Sequence, residues 1–400
     1  MEPSRGIAGT NLEHARSHNR RVVLEAVRLH GPLSRADIAR LTALTSQTVS
    51  NIVQELEDGG LLQAAAPRSG GRGQPATPLS IDPDGAYSIG IELDHHGLTA
   101  VLVDLAGQIR GRVGAEVRDP RPQSAIPQMV RAIRDLRTRS AVDWSRILGV
   151  GLAMPGPFNA AGRSLMGPTS LPGWDDPDGA AIARRIGLPV ILENDAKAAA
   201  IGEHLHGAAK HLSSFAFIYL GMGLGAGLFL DGHVYKGAGR NAGEIGHMIV
   251  ETDGRPCHCG NRGCLEQYVS LRAAYQALGI ARYDRGTPEE LVRRLDAGEP
   301  RIMAWLASTA APLRRAINML ESLLDPETIV LGGVMPQPLL QRIADALPPL
   351  AVSAADQNDR ATPRLVVGAA GPDTPALGAA ALPIFDELNP QLNLLLKKTG

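Results

Sequence analysis

The stretch Tyr87–Leu105, YSIGIELDHHGLTAVLVDL, decides the fold, because it predicts a strand, a turn and a second strand closed by Ala106-Gly107. The stretch Phe215–Leu230, FAFIYLGMGLGAGLFL, repeats that layout and is closed by Asp231-Gly232. Two distant stretches with the same layout predict a chain built from two related lobes. In a mixed α/β chain with two lobes, the ligand is expected in the cleft between them.

The segments around this pair alternate between helical and extended patterns, as in an α/β protein. In chain order they predict an amphipathic helix around Pro127–Arg139, a buried strand at Ile147–Ala153, a strand at Pro189–Leu192 leading into ENDAKAAAIGEHL, a mostly helical region from Leu271 to Leu324, a strand at Thr328–Leu331 and a last helix near Leu377–Leu388.

The overall composition is that of an ordinary soluble globular protein. Of 400 residues, 44% are hydrophobic and 20% are charged, and no run approaches the ~20 apolar residues of a membrane span. Nothing at the N-terminus resembles a secretory signal, so a cytoplasmic location without a membrane partner is expected. The formal net charge is -1, so evidence for nucleic-acid binding has to come from a local pattern.

All three cysteines of the chain, Cys257, Cys259 and Cys264, fall within eight positions, and His247 precedes them by ten residues. Three thiolates and one imidazole complete a tetrahedral shell around Zn²⁺ with no open position, which is the structural kind of zinc site. The alternatives are a disulfide or three unrelated thiols. A disulfide would leave one cysteine unpaired, so the pattern favours structural zinc.

The N-terminal part of the chain predicts a helix-turn-helix. A tail is expected before Asn19, where a helix begins that ends at Gly31-Pro32. Ser34 and Asp37 predict the capped start of a short helix through about Leu41, and Thr45 predicts the cap of a longer one. Two helices joined by a short turn, the second polar at its start, are typical of DNA-binding helix-turn-helix domains.

In such a domain the start of the second helix enters the major groove, and a wing follows it. Strands at Leu61–Ala66 and Ala76–Ile81 would form that wing around PRSGGRGQP, which carries arginines for a phosphate or the minor groove. The alternative is a helical hairpin for protein contact. The predicted DNA-binding residues are Arg35, Ser46, Gln47, Thr48, Asn51, Arg68 and Arg72.

Together these motifs resemble the ROK family (repressors, open reading frames and sugar kinases), in its transcription-regulator branch with an N-terminal winged helix-turn-helix. The resemblance covers nearly the whole chain and rests on LSRADIARLTALTSQTVSNIVQELEDGGLL with GRGQPATPL, then PGPF, LENDAKAAAIGE, GLGAGLFLDG, AGEIGHM, CHCGNRGCLEQ and DPETIVLGGVM.

The resemblance implies the α/β fold of sugar kinases, Hsp70 and actin, in which two ribonuclease-H-like lobes surround a cleft. The expected organisation is a flexible tail at 1–17, a winged helix-turn-helix at 18–82 and a ROK domain at 83–400. Within the ROK domain, lobe one is expected at about 83–205 plus the C-terminal helix, and lobe two at about 206–375 with the zinc loop.

The resemblance also implies a sugar site. Family members hold sugar hydroxyls with residues that match Asn194, Asp195, Glu244, His247 and Glu266. Carboxylates and an amide suit a carbohydrate, because they can accept from and donate to vicinal hydroxyls. For Asn194 and Asp195 taken alone, a helix cap at a strand-to-helix turn is the alternative.

In the kinases of the family, the residue matching Asp195 is the general base, so a bifunctional sugar kinase and regulator is the main alternative. Kinases carry Asp-x-Gly-Gly-Thr at the first phosphate turn, whereas this chain has Glu92-Leu93-Asp94-His95-His96. They carry Gly-Thr-Gly at the second, where this chain has Gly221-Met222-Gly223. An extra carboxylate and two imidazoles should oppose a polyanion, so no kinase activity and no catalytic residue are predicted.

The resemblance therefore implies a sugar-responsive DNA-binding regulator of carbohydrate genes, with repression as the expected mode. Its expected partners are a palindromic double-stranded operator and a mono- or disaccharide, its expected cofactor is structural Zn²⁺, and a homodimer or homotetramer is expected. A third class is a regulator controlled by docking of a protein from a sugar transport system.

Overall fold

The computed structural model describes residues 12–65, 77–156, 169–174, 178–355 and 360–388. Within these ranges no helix is both long enough and apolar enough to span a bilayer.

The N-terminal unit contains three helices and a two-stranded antiparallel sheet, as expected for a winged helix-turn-helix. Its elements are α1 (Leu12–His30), α2 (Arg35–Thr42), α3 (Ser46–Asp58), β1 (Leu62–Ala64) and β2 (Leu79–Ile81). Helix α1 begins at Leu12 and not at Asn19, so part of the predicted tail is helical. The residues LEHARSH lack apolar periodicity, but Leu, Glu, Ala and Arg all favour a helix by intrinsic propensity.

The predicted caps of the helix-turn-helix are confirmed. The Ser34 hydroxyl accepts from the Asp37 backbone N–H at 3.2 Å, and the Asp37 carboxylate accepts from the Ser34 N–H at 3.2 Å, which forms a capping box. The Thr45 hydroxyl accepts from the Thr48 N–H at 3.2 Å. Strand β2 is shorter than predicted because Pro78 has no N–H to donate to the ladder. The PRSGGRGQP loop, with Arg68 and Arg72, lies outside the described residues.

The first lobe contains a five-stranded sheet in the order β5-β4-β3-β6-β7. The central strand β3 is antiparallel to β4 and parallel to β6. In chain order the elements are β3 (Tyr87–Leu93), β4 (Leu98–Asp104), β5 (Ile109–Ala115), α4 (Pro122–Arg139), β6 (Ile147–Met154), α5 (Gly179–Ile186), β7 (Val190–Asn194) and α6 (Asp195–His206).

The second lobe repeats this topology, with the order β10-β9-β8-β11-β12. Its central strand β8 is antiparallel to β9 and parallel to β11, so the predicted duplication is confirmed. In chain order the elements are β8 (Phe215–Leu220), β9 (Leu224–Leu230), β10 (His233–Val234), α7 (Leu271–Leu278), α8 (Thr287–Asp296), α9 (Pro300–Leu324), β11 (Thr328–Gly332), α10 (Gln337–Asp345) and β12 (Leu365–Val367).

The last helix, α11 (Thr374–Leu388), returns to the first lobe and packs against α6, β3 and β6. Its contact with α6 is backbone to backbone. A Cβ at Gly378 would lie 1.6 Å from the Ala198 carbonyl oxygen, and a Cβ at Gly202 would lie 2.2 Å from the Thr374 carbonyl oxygen. Only glycine fits where two backbones approach this closely.

A second face of α11 packs against the N-terminal unit. Leu377 and Ile384 belong to one continuous hydrophobic cluster with Val23 and Val27 of α1. The Arg28 guanidinium also lies over the Phe385 ring, 5.9 Å from its centroid. The winged helix and the first lobe therefore share a core.

Candidate functional site

A polar cavity lies between the lobes, where several strands and turns end. All five predicted sugar-binding residues line it, so the fold brings together side chains that are far apart in the sequence. The predicted lining residues are Asn194, Asp195, Glu244, His247 and Glu266, and the cavity is also lined by Asp94, His95, Thr169, Ser170 and His258.

Asn194 and Asp195 stand at the junction of β7 and α6. The Asn194 side-chain oxygen accepts from the backbone N–H groups of Ala196 at 3.0 Å and Lys197 at 3.2 Å, so Asn194 is the N-cap of α6. Its amide nitrogen lies 3.1 Å from an Asp195 carboxylate oxygen. The helix-cap interpretation is therefore confirmed for Asn194, whereas Asp195 is the first residue of α6, and both side chains also line the cavity.

Glu244 is placed by the glycine before it. Gly243 has φ 96°, and a Cβ there would lie 2.0 Å from the Ala226 carbonyl oxygen. The turn therefore packs directly on β9 and presents Glu244 to the cavity. Nearby, buried Lys197 donates to the Arg240 backbone carbonyl, so its ammonium group is held in the wall by the chain itself.

The carboxyl groups of the cavity titrate abnormally. Burial, together with the charges of Glu244 and Asp94, raises the pKa of Asp195 to about 7. Burial also raises the pKa of Glu244 and of Glu266. A carboxyl group with a pKa of about 7, as in Asp195, can accept from a sugar hydroxyl when ionised and donate to one when protonated.

Ser170 adds an unsatisfied group to the same wall. Its side chain is buried, and its hydroxyl has no hydrogen-bond partner within the described ranges. A buried hydroxyl without a partner costs roughly 1–3 kcal/mol, which a ligand hydroxyl at this position would recover.

The three cysteines and His247 form one cluster behind the cavity. Their ligand atoms all lie within 4.8 Å of one another. The Cys259 and Cys264 sulfurs are 3.7 Å apart, and the Cys257 sulfur is 3.6 Å from His247 Nδ1. A tetrahedral ion with zinc–sulfur bonds of about 2.3 Å holds its sulfurs about 3.8 Å apart. The cysteines are free thiols, so the disulfide alternative is not realised, and the donor set fits zinc.

His258 is a site residue that the sequence analysis did not identify. It stands between two cysteines of the cluster, and its Nδ1 lies 3.3 Å from Glu266 Oε1. His247, His258 and Glu266 form a second group with metal-ligating geometry. Its position between Cys257 and Cys259 could have indicated a role at the site. The three cysteines and His247 already completed a set of four zinc ligands, so His258 was not considered.

On the β3–β4 side of the cleft, the turn after β3 is closed by its own side chains. Asp94 accepts from the backbone N–H groups of His96 at 2.7 Å and Gly97 at 2.9 Å. His96 Nε2 lies 2.9 Å from the Tyr275 hydroxyl of α7, so the turn is bonded to the second lobe. Burial, with the charges of Asp94 and Asp195, raises the pKa of Glu92 well above its ordinary value.

A larger cavity of about 620 Å³ adjoins this turn. Four acidic residues, Glu92, Asp94, Glu289 and Asp373, help to line it. Its two arginines are engaged. Arg112 makes a two-pronged ion pair with Asp373 at 2.5 and 2.7 Å, and Arg285 donates to the Leu98 carbonyl at 2.7 Å.

The predicted DNA-binding face is largely exposed. Ser46, Gln47 and Asn51 are open to solvent and Thr48 is half-buried. Gln47 Nε2 donates to the Asn51 side-chain oxygen at 3.0 Å, which places the two amides side by side on α3. Arg35 is paired with Glu57 at 2.7 Å in a partly buried ion pair.

Known proteins share both parts of this architecture. A model of the ROK family matches residues 88–384, and a model of the MarR family matches residues 20–73. The xylose repressor of Bacillus spizizenii is 30% identical over 261 residues, which cover 65% of this chain and 67% of the repressor.

Two solved structures share the fold. A ROK family transcriptional regulator, homologous to the E. coli MLC protein, has a TM-score of 0.71 at 24% identity and covers 96% of this chain and 99% of its own. A ROK family glucokinase from Streptomyces griseus, in complex with glucose and AMPPNP, has a TM-score of 0.62 at 24% identity and covers 74% of this chain and 99% of its own. The predicted fold class, a winged helix-turn-helix followed by a two-lobed sugar-kinase-like domain, is confirmed.

Proposed function

Because the chain belongs to the ROK family, we propose that it is a sugar-responsive transcriptional repressor of carbohydrate uptake or metabolism genes. The observation that carries the proposal is the convergence of Asn194, Asp195, Glu244 and Glu266 on one interlobe cavity. The N-terminal unit of the same chain exposes Gln47 and Asn51 near the start of α3, where contact with DNA is expected. Arg35, Ser46 and Thr48, and the wing residues Arg68 and Arg72, complete the proposed DNA contact.

The proposed cofactor is one structural Zn²⁺ held by His247, Cys257, Cys259 and Cys264. The support is the 3.7 Å separation of the Cys259 and Cys264 sulfurs, which fits a tetrahedral ion, and the four ligand atoms that lie within 4.8 Å of one another. When bound, the ion would fix the loop that carries His247 and leads directly into Glu266, so the metal shapes one wall of the sugar site.

The proposed coupling runs through two helices. Asn194 and Asp195 stand at the start of α6, α6 touches α11 through Gly202 and Gly378, and α11 shares its core with α1. A sugar that binds one arrangement of the lobes more tightly would favour one arrangement of α6 and α11. Because α11 packs against α1, the position of the winged helix would change with it. A homodimer or homotetramer would match a palindromic operator.

The first prediction separates sensing from DNA binding. Glu244→Gln should keep operator affinity while weakening the sugar at least about tenfold, because a hydrogen bond to a charged group contributes ~1.5–3 kcal/mol. Asn51→Ala should keep sugar affinity and weaken the operator by ~1–3 kcal/mol, the usual worth of a paired amide-to-base contact. Footprinting over the protein's own promoter, with and without a panel of sugars, measures the operator affinity and the sugar concentration that changes it. No protection at moderate salt would contradict the proposal.

The second prediction concerns pH. Asp195 has a pKa of about 7, so it is mostly protonated at pH 6 and mostly ionised at pH 8. A sugar hydroxyl that donates to the carboxylate favours the ionised form, so binding should release a proton and be roughly tenfold tighter at pH 8 than at pH 6. Calorimetry from pH 6 to pH 8 should show this tenfold change in sugar affinity for the wild type. The exposed control variant Asp231→Asn should show the same change, whereas the sugar affinity of Asp195→Asn should not depend on pH in this range. A change that survives Asp195→Asn would assign it to another group.

A bifunctional kinase remains the alternative, since Asp195 and the 620 Å³ cavity are both present. We propose that kinase activity is lost, because acidic groups line that cavity and Asp94 already uses the backbone N–H groups of the first turn. ADP release with glucose, N-acetylglucosamine or xylose that disappears in Asp195→Asn would overturn this. If calorimetry shows no heat with any sugar, control by a docked transport-system protein is favoured instead.

A further inference from the structure

We infer that His258 is a positioning and specificity-determining residue of the sugar site, which it serves by holding Glu266. This inference rests on the proposed function. His258 Nδ1 lies 3.3 Å from Glu266 Oε1, which leaves Glu266 Oε2 on the side of the cavity residue Gly223. The imidazole ring also forms part of the cavity wall and limits the size of the sugar substituent beside it.

The two oxygens of Glu266 face opposite surroundings. Oε1 lies 3.1 Å from Gln267 Nε2, 3.3 Å from His258 Nδ1 and 3.3 Å from the Cys257 sulfur. Oε2 points the other way, since a Cβ at Gly223 would lie 3.4 Å from it. Gly223 is a cavity residue, so one oxygen is anchored in the wall and the other is presented to the ligand.

With zinc bound as proposed, the contact between His258 and Glu266 would become more important. A zinc-bound cysteine is a thiolate, so Cys257 can no longer donate a proton to Glu266. A thiolate and a carboxylate oxygen 3.3 Å apart then repel each other. The Gln267 amide at 3.1 Å and His258 Nδ1 at 3.3 Å would then be the nearest donors to Oε1, whereas His247 Nδ1 lies farther away at 3.9 Å.

The ring of His258 is held in place by its position in the chain. It lies between Cys257 and Cys259, and the Cys257 N–H donates to the Asn261 carbonyl at 2.9 Å, which closes the loop around it. The ring meets the His247 ring edge to face, with centroids 5.3 Å apart and planes at 77°. Its side chain is 14% exposed. A ring fixed in this way can select among sugars, because it cannot swing aside.

Two substitutions in the full-length protein separate the donor from the volume. His258→Leu keeps much of the volume without a donor, and His258→Gln keeps an N–H donor. We expect His258→Leu to weaken the best sugar of a panel roughly 10- to 100-fold, as loss of a charge-assisted hydrogen bond does, and His258→Gln to stay within a few-fold of wild type. Both should retain the wild-type zinc content, measured by elemental analysis. His258→Leu, which keeps much of the volume, should keep the ranking of sugars by size, whereas His258→Gln, whose side chain can swing aside, should change it.

A double-mutant cycle by calorimetry supplies the decisive readout. In a Glu266→Ala background, His258→Leu should have little further effect, because the carboxylate that His258 contacts is gone. The inference is overturned if His258→Leu binds sugar like wild type, if the two losses simply add, or if zinc is lost together with affinity. If wild type itself binds no sugar in the panel, the proposed function fails as well, and that outcome is distinct from the others.

Discussion

Cys259→Ser is expected to abolish zinc binding and, with it, most of the sugar response. The substitution removes one of the four ligands, and a structural zinc site contributes about 10–16 kcal/mol of binding free energy in small zinc domains. Cys259 is the most exposed of the three cysteines, so serine fits its place without overpacking. The loop that follows leads into Glu266, and its loss of order should weaken the sugar at least about tenfold. Elemental analysis measures the zinc content, calorimetry measures the sugar affinity, and release of the operator on addition of sugar measures the response.

The control for this substitution is Arg262→Ser, an exposed position in the same loop. It should retain one zinc per chain and wild-type sugar affinity. A folded, zinc-free Cys259→Ser protein with unchanged sugar affinity would contradict the prediction, because the loop would then be a scaffold with no part in the sugar site.

Gly378→Val is expected to destabilise the protein and to disconnect the operator from the sugar. A Cβ at Gly378 lies 1.6 Å from the Ala198 carbonyl oxygen, so α6 and α11 have to separate. Overpacking of this kind costs ~1–3 kcal/mol and more where backbone has to move. Ala198 lies only one turn after Asp195 in α6, so sugar affinity should fall as well, and operator affinity should no longer respond to the sugar. Thermal unfolding and footprinting with and without sugar test both effects.

The matched control is Gly239→Val, where an added side chain meets nothing within 4 Å. It should show the wild-type melting temperature and the wild-type sugar response. If Gly378→Val also keeps both, the α6–α11 contact neither supports the fold nor carries the signal.

The parts of the site that could be predicted from the sequence are those with local signals. The cysteine spacing indicated a metal cluster, and Ser34 with Asp37 indicated a helix start, because these partners are close in the chain. His258 was missed because its function depends on where Glu266 points, which only the folded loop determines. The start of α1 was missed because intrinsic propensity, and no apolar stripe, extends it to Leu12.

The resemblance implied that the C-terminal helix returns to the first lobe, but the individual contacts that this return makes could not be predicted. Gly202 and Gly378 are ordinary glycines in the sequence, and their close approach depends on how α11 returns to the first lobe. The bond from His96 to Tyr275 likewise joins segments that have no common pattern. Long-range packing of this kind is set by the tertiary fold and leaves no periodicity to detect.

The core shared by α1 and α11 joins the beginning of the chain to its end. During synthesis the winged helix emerges first, but Val23 and Val27 cannot bury their last partners until the final helix has left the ribosome. In a chain truncated before α11, the winged helix would lack part of its core, and we expect it to be less stable than in the full-length protein. The same feature limits chimaeras: exchanging residues 18–82 between relatives should succeed only when α11 is exchanged with them.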